Sequence, residues 1–95
     1  MFEIINQDDA KKLMLSEVNI FDVRDQISFD EKHINNAKLL SGENFDEVCK
    51  ACNKATPTIV YCYKGIRSQT IAKILAEQGF EKVYSLKGGF SSWEV

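Results

Sequence analysis

The stretch that most constrains this chain is 58–68, where a short apolar run ends at a cysteine and a compact loop leads into a helix. The run 58–61 predicts a buried strand, and the apolar spacing after Ser68 predicts a helix. A cysteine at the base of such a loop faces backbone N–H groups and the positive end of a helix dipole, which both stabilise an anion. The pattern therefore predicts that Cys62 is a nucleophilic thiolate and that the remaining chain holds its loop.

The composition limits the functions that this cysteine could serve. A chain of 95 residues has room for one domain, expected to span 1–95. Its net charge of -2 argues against a nucleic-acid partner, because phosphate contacts need a basic face. No apolar stretch approaches the roughly 20 residues of a membrane span, and no signal peptide is visible, so we expect a cytoplasmic protein without a membrane partner. The odd number of cysteines, 3, predicts at least one free thiol.

Strands alternating with helices are predicted along the whole chain. Strands are expected at 2–5, 18–23, 37–40, 58–61 and 82–86, and helices after Asn6, at 28–32, at 43–51 and from near Ser68 to Gly79. This order predicts an α/β fold in which helices cover both faces of a parallel sheet. The ligand site of such a sheet lies beyond the carboxyl ends of its strands, where Cys62 should meet 22–25 and 87–89.

The helix after the cysteine loop is the best-specified element. Its expected buried stripe consists of Ile71, Ala72, Ile74, Leu75 and Ala76. Gly79 fits the left-handed position that ends a helix, with Phe80 folding back on Leu75.

Four groups of residues, in this order, resemble a rhodanese domain: Asp22-Val23-Arg24; Phe29 followed by His33-Ile34 and Ala37; Cys62–Ser68; and Leu86–Gly89 with Trp93. The similarity covers nearly the whole chain and extends to the small single-domain thiosulfate sulfurtransferases. It implies a three-layer α/β/α fold with a five-stranded parallel sheet of order 1-5-4-2-3. Lys32 stands where the family usually has glycine, and Asn35-Asn36 replaces a proline- or glycine-containing turn. Both departures lie away from the cysteine loop.

The resemblance also implies a sulfurtransferase whose cysteine forms a persulfide. The family pattern Cys-x-x-Gly-x-Arg matches Cys62, Gly65 and Arg67. The thiolate would take the outer sulfur of thiosulfate, release sulfite, and pass the sulfur to cyanide or to a thiol, such as that of a thioredoxin-like protein. No cofactor or metal is implied. The expected cradle around the persulfide consists of Tyr63, Lys64, Gly65, Ile66, Arg67 and Ser68.

Positive charge near this loop is expected to attract the small anionic donor. Lys64 and Arg67 are the candidates within the loop, and Lys87 is a further one. An ion pair between Arg67 and Asp25 is the structural alternative for that arginine.

Several chemically suggestive residues are better explained by structure. The pair Cys49-x-x-Cys52 could indicate a redox or zinc site. It lies late in a predicted helix, however, and a zinc site would need two more ligands, so partly buried structural thiols are favoured. Structural roles are likewise expected for other residues: hydrogen bonding by His33, loop anchoring by Asp22 with Arg24, and packing by Phe90 and Trp93.

Three alternative functions stay open. A cysteine phosphatase or arsenate reductase also uses a thiolate among amides, but its spacing is Cys-x5-Arg, whereas Arg67 follows Cys62 one residue sooner. A non-catalytic binding module would often lack the cysteine. A persulfide carrier loaded by a protein donor would keep the same chemistry with thiosulfate as an incidental substrate.

Overall fold

The predicted strands and helices are present in the computed structural model, which describes residues 1–94; the last residue of the predicted domain lies outside that range. The elements are β1 (Phe2–Ile5), α1 (Gln7–Leu13), β2 (Asn19–Asp22), α2 (Gln26–Glu31), β3 (Lys38–Leu39), α3 (Phe45–Ala51), β4 (Thr58–Tyr61), α4 (Arg67–Glu77), β5 (Val83–Leu86) and a 3-10 turn, η1 (Phe90–Ser92). The bounds of β1 and β4 match the predicted ones, the other predicted ends differ by at most two residues, and η1 was not predicted.

The five strands form one parallel sheet with the order β1-β5-β4-β2-β3, which confirms the predicted fold class. The central strand β4 is buried along its whole length, since helices cover both faces of the sheet. Val60 of β4 belongs to an apolar cluster with residues of α3 and α4. Ile59 and Tyr61 belong to a second cluster with residues of α1 and η1. Cys62 therefore directly follows a strand that is fully buried and paired on both sides.

Local capping sets the ends of three helices. The Asp9 N–H donates to Asn6 Oδ1 at 2.8 Å, as expected for the cap of α1. Asp25 caps α2 in the same way by accepting from the Ser28 N–H at 2.7 Å, and α2 therefore begins two residues before the predicted start. Helix α4 ends as predicted, with Gly79 at φ 103° and the Phe80 N–H donating to the Leu75 carbonyl at 3.1 Å.

One part of the predicted stripe on α4 is wrong. Ala72 and Leu75 are fully buried, but Ile74 is 37% exposed and faces away from the core. The reason is the helical period, which places Ile74 about 200° around the axis from Ala72. Ile74 instead lines the cavity beside Cys62.

No helix within residues 1–94 combines the length and the apolar character that crossing a membrane would require.

Candidate active site

Cys62 lies at the carboxyl edge of the sheet, and its sulfur is surrounded by hydrogen-bond donors. The side chain is buried, with 6% of its surface exposed. The Gly65 N–H donates to Cys62 Sγ at 3.1 Å, and the Ser68 N–H donates at 3.3 Å. Ser68 is the second residue of α4, so the positive end of that helix also points at the sulfur. The arrangement favours a negative charge on Sγ.

Two glycines allow the cysteine loop to close this tightly. Gly65 has φ 90°, and a Cβ there would lie 2.8 Å from the Gly88 nitrogen and 2.9 Å from the Leu86 carbonyl oxygen. Gly89 has φ 59°, and a Cβ there would lie 2.5 Å from the carbonyl oxygens of Cys62 and Tyr63. The loop and the Gly88-Gly89 turn are therefore in direct backbone contact, which a side chain at either position would prevent.

The start of η1 orients the peptide groups of the cysteine loop. The Phe90 N–H donates to the Cys62 carbonyl at 2.9 Å, and the Ser91 N–H donates to the Tyr63 carbonyl at 2.8 Å. In a planar trans peptide, the N–H points opposite to the carbonyl. Holding the Tyr63 carbonyl away from the sulfur therefore turns the Lys64 N–H toward it. The sequence placed 87–89 at this edge of the sheet but did not indicate this role, although the two successive glycines were an available signal.

The hydroxyl of Ser68 also faces the sulfur. Its Oγ lies 3.5 Å from Cys62 Sγ and 2.8 Å from Ser85 Oγ on β5. Ser68 and Ser85 are both fully buried. The sequence placed Ser68 in the cradle but gave no sign of Ser85, which is one residue of an otherwise apolar strand.

These contacts have opposite effects on the acidity of the thiol. Burial raises the pKa of Cys62, whereas hydrogen bonds from the Ser68 hydroxyl and from the amides of Ser68, Gly65 and Lys64 lower it. The donors outweigh the burial, so the pKa of Cys62 lies below the usual value for a thiol. The expected amides of Tyr63, Ile66 and Arg67 make no hydrogen bond to Sγ in the part of the chain that the structure describes.

Cys62 opens onto a cavity of about 1010 Å³. Its polar lining includes Lys64 and Arg67, both exposed, while Lys87 does not line it. Apolar side chains make up much of the rest: Val23, Leu40, Phe45, Ile66, Ile71 and Ile74. Within residues 1–94 the ion pair formed is Arg24 with Asp22, so the structure does not support an Arg67–Asp25 pair. Asp25 caps α2 instead.

The Asp22–Arg24 pair holds the edges of the site together. Arg24 Nη2 donates to Asp22 Oδ2 at 2.7 Å and to the Lys32 carbonyl at 2.6 Å. The Arg24 guanidinium also lies 4.2 Å from the ring centre of Phe90 in η1. These contacts tie β2, the loop after α2 and η1 together, as expected for an anchoring pair.

The remaining candidates lie outside the cavity. His33 Nδ1 is 2.8 Å from the Phe29 carbonyl, in keeping with a structural role. Cys49 is buried in α3, Cys52 is half-buried at its end, and neither forms a disulfide. Within residues 1–94 no group of three or more histidine, cysteine, aspartate or glutamate side chains could hold a metal ion.

Comparison with known proteins agrees with this geometry. Residues 6–95 match the rhodanese-like domain family. The chain belongs to that family. It is 45% identical over 96 aligned residues to the thiosulfate sulfurtransferase GlpE of Coxiella burnetii, covering 100% of this chain and 90% of that protein. It is 42% identical to the enzyme of the same name from Shewanella oneidensis, covering 96% of this chain and 85% of that protein. A crystal structure of a rhodanese-like domain protein from Staphylococcus aureus superimposes with a TM-score of 0.82 at 27% identity, covering 99% of this chain and 92% of that one.

Proposed function

We propose that this rhodanese-like domain is a thiosulfate sulfurtransferase that carries sulfur as a persulfide on Cys62. The observation that carries the proposal is the set of donors around Cys62 Sγ, which lowers the pKa of a buried thiol. Two similar proteins, from Coxiella burnetii and Shewanella oneidensis, are named thiosulfate sulfurtransferases, which supports the proposal. A thiolate held among amides is the nucleophile that sulfur transfer needs.

In the first half-reaction, the Cys62 thiolate attacks the outer sulfur of thiosulfate. A new S–S bond forms, the S–S bond of thiosulfate breaks, and its electron pair leaves with sulfite. The charge that was on Sγ moves to the outer sulfur of the persulfide. Lys64 and Arg67 at the cavity mouth raise the local concentration of the dianionic donor.

In the second half-reaction, a thiophilic acceptor attacks the outer sulfur. The persulfide bond breaks, its electron pair returns to Cys62 Sγ, and the same amides receive the charge again. Cyanide would leave as thiocyanate, and a thiolate would leave as a persulfide. Because the two steps share a covalent intermediate, ping-pong kinetics are expected.

The size and lining of the cavity support a thiol as the physiological acceptor. Thiosulfate and cyanide are small and polar, and neither would fill a cavity of about 1010 Å³. The apolar side chains of Phe45, Ile71 and Ile74 suit a thiol on an apolar body, including the reactive cysteine of a thioredoxin-like protein. The reaction needs reduced thiols, which persist in the cytoplasm, so we place the protein there.

The test is intact-mass spectrometry of the protein after incubation with thiosulfate. The expected result is a gain of one sulfur atom, mapped to the peptide that contains Cys62 and removed by cyanide with release of thiocyanate. No gain, or a gain on Cys49 or Cys52, would contradict the proposal.

The same preparation distinguishes the alternative functions. Sustained release of phosphate from an aryl phosphate would indicate a cysteine phosphatase. Loading by a protein persulfide that is much faster than loading by thiosulfate would indicate a persulfide carrier.

A further inference from the structure

Ser85 is a polar residue in a part of the core where the neighbouring buried side chains are apolar. Side chains alternate along β5, so Ser85 faces the same side of the sheet as Val83, toward α4. Val83 belongs to the apolar cluster on that side. Ser85 is fully buried, and a buried hydroxyl is unfavourable unless it is hydrogen-bonded.

The Ser85 hydroxyl pairs with the hydroxyl of Ser68, which faces the Cys62 sulfur. Ser85 Oγ lies 2.8 Å from Ser68 Oγ, and Ser68 Oγ lies 3.5 Å from Cys62 Sγ. Within residues 1–94 no buried side-chain nitrogen or oxygen lacks a partner, so the pair is satisfied inside the core. Three atoms thus form a continuous chain from β5 to the cysteine.

The direction of this hydrogen-bond chain depends on the charge of the sulfur. A thiolate only accepts, so the single proton of the Ser68 hydroxyl points to Sγ, and Ser68 Oγ accepts from the Ser85 hydroxyl. A thiol can donate to Ser68 Oγ; the Ser68 proton then points to Ser85 Oγ, and the Ser85 proton turns away from Ser68. A thiolate is the stronger acceptor, and a hydrogen bond from Ser68 is strengthened when Ser68 itself accepts one.

We propose that Ser85 is a positioning residue for sulfur transfer, which through Ser68 orients the hydroxyl that stabilises negative charge on Cys62 Sγ. The inference rests on the proposed function and extends it to a residue that does not line the cavity and whose hydroxyl is bonded to Ser68 rather than to the sulfur. The charge is on Sγ at two moments, when Cys62 attacks the donor and when it leaves from the persulfide. Ser85 therefore acts in both half-reactions.

The two half-reactions respond differently to the loss of Ser85. In Ser85→Ala the Cys62 pKa rises, so loading slows below that pKa but recovers at high pH, where the thiol is fully ionised. Unloading slows at every pH, because a more basic thiolate leaves less readily. We expect unloading to slow by up to about threefold, which is what a shift of about one pKa unit gives with a Brønsted coefficient near 0.5. A purely structural defect would slow both steps without this dependence on pH.

The experiment measures both rates by intact-mass spectrometry over a range of pH, with thiosulfate for loading and cyanide for unloading. The variants are Ser85→Ala, Ser68→Ala and the double variant. Ser68→Ala should show the larger effect, and Ser85→Ala should add nothing in the Ser68→Ala background, because its influence passes through that hydroxyl. Equal effects of Ser85→Ala in the two backgrounds would overturn the proposal.

A matched control removes a buried hydroxyl elsewhere on the same sheet. Thr58 is fully buried at the start of β4, and its Oγ1 accepts from Asn19 and donates to the Thr56 carbonyl. Thr58→Val should leave the pH dependence of both half-reactions unchanged. A Thr58→Val profile like that of Ser85→Ala would overturn the proposal, since any lost core hydrogen bond would then suffice.

Alkylation of Cys62 separates this inference from the proposed function. The rate with iodoacetamide, mapped to the Cys62 peptide, reports the thiolate without any sulfur donor. Ser85→Ala should shift this profile to higher pH even if thiosulfate proves not to be the substrate, and an unchanged profile overturns the inference. If Ser85→Ala does not fold, as judged by circular dichroism, Ser85→Cys supplies a weaker donor of similar size and should shift the profile in the same direction. Ser85→Thr keeps the hydroxyl and should restore the wild-type profile.

Discussion

Cys62 and Cys49 are equally buried thiols with opposite chemistry. Each has 6% of its surface exposed, and neither forms a disulfide. Burial raises the pKa of Cys49, and neighbouring Cys52 raises it further. The positive charge of Lys54 lowers it by less than these effects raise it. Burial also raises the pKa of Cys62, but the Ser68 hydroxyl and three amides reverse the outcome. Burial therefore does not distinguish the two thiols, whereas the donors around the Cys62 sulfur do.

The two thiols also lie at opposite ends of helices. Cys49 is in the last turn of α3, where unpaired carbonyls give the helix end a partial negative charge. Cys62 lies before α4, where the first N–H groups give a partial positive charge. The local structure thus makes Cys49 a poor thiolate and Cys62 a good one.

The largest expected effect comes from removing each sulfur in turn. Cys62→Ser should reduce sulfur transfer to background, since it removes the atom on which the proposed persulfide forms, while leaving the fold intact. Cys49→Ser should destabilise the fold by about 1–3 kcal/mol, the effect of a hydroxyl buried in an apolar site, yet keep the activity of the folded fraction. Activity and urea denaturation measure the two effects. Loss of activity in Cys49→Ser with retained activity in Cys62→Ser would contradict the different roles assigned to the two thiols.

The next effect comes from disturbing the loop without touching either sulfur. In Gly65→Ala, a Cβ would lie 2.8 Å from the Gly88 nitrogen at φ 90°, so the loop must shift. We expect a stability loss of about 1–3 kcal/mol from the strained backbone. Activity should fall roughly tenfold or more, because small displacements at a reacting atom are costly.

Gly42→Ala is the matched control for this loop variant. A Cβ at Gly42 meets nothing within 4 Å, although Gly42 lines the same cavity. Stability and activity should stay near those of the wild type. Similar losses in both variants would show that the close packing of Gly65 against Gly88 is unimportant.

The pH dependence of alkylation should separate the two thiols directly. Because the pKa of Cys62 is lowered, its thiolate fraction and its reaction with iodoacetamide should saturate at a lower pH than for an ordinary thiol. Because the pKa of Cys49 is raised, its alkylation should begin only at higher pH. Peptide mapping over a pH series measures both profiles in one sample. Coinciding profiles would contradict the assigned difference.

The sequence predicted what local patterns determine and missed what distant segments contribute. The strand before Cys62 and the helix after it were visible as apolar spacing, and the ending at Gly79 was visible as a glycine. Ser85 and the N–H groups of η1 could not be assigned, because they approach the cysteine loop only after β5 pairs beside β4. Ile74 was misassigned because it adjoins the buried stripe in the sequence, while the helical period turns it toward the cavity.

The smallest expected effect comes from the charged side chains that line the cavity beside Cys62. Cys62 opens between Lys64 and Arg67, but the cavity also carries Arg24, Asp25 and Asp46, leaving three positive against two negative side chains. With so small an excess, Lys64→Ala or Arg67→Ala should raise the KM for thiosulfate only about two- to fivefold, with kcat little changed. The difference from the wild type should shrink as salt is added, because exposed charges are screened.

Lys73→Ala is the control for this charge effect, since Lys73 is exposed on α4 but does not line the cavity. It removes the same net charge and should leave KM unchanged, which separates local attraction from the charge of the whole protein. A fall in kcat for Arg67→Ala at constant KM would mean that the guanidinium acts on the reacting sulfur rather than on the approach of the donor. The groups that stabilise negative charge on Cys62 but not on Cys49 would then include a side-chain charge as well as the Ser68 hydroxyl and main-chain amides.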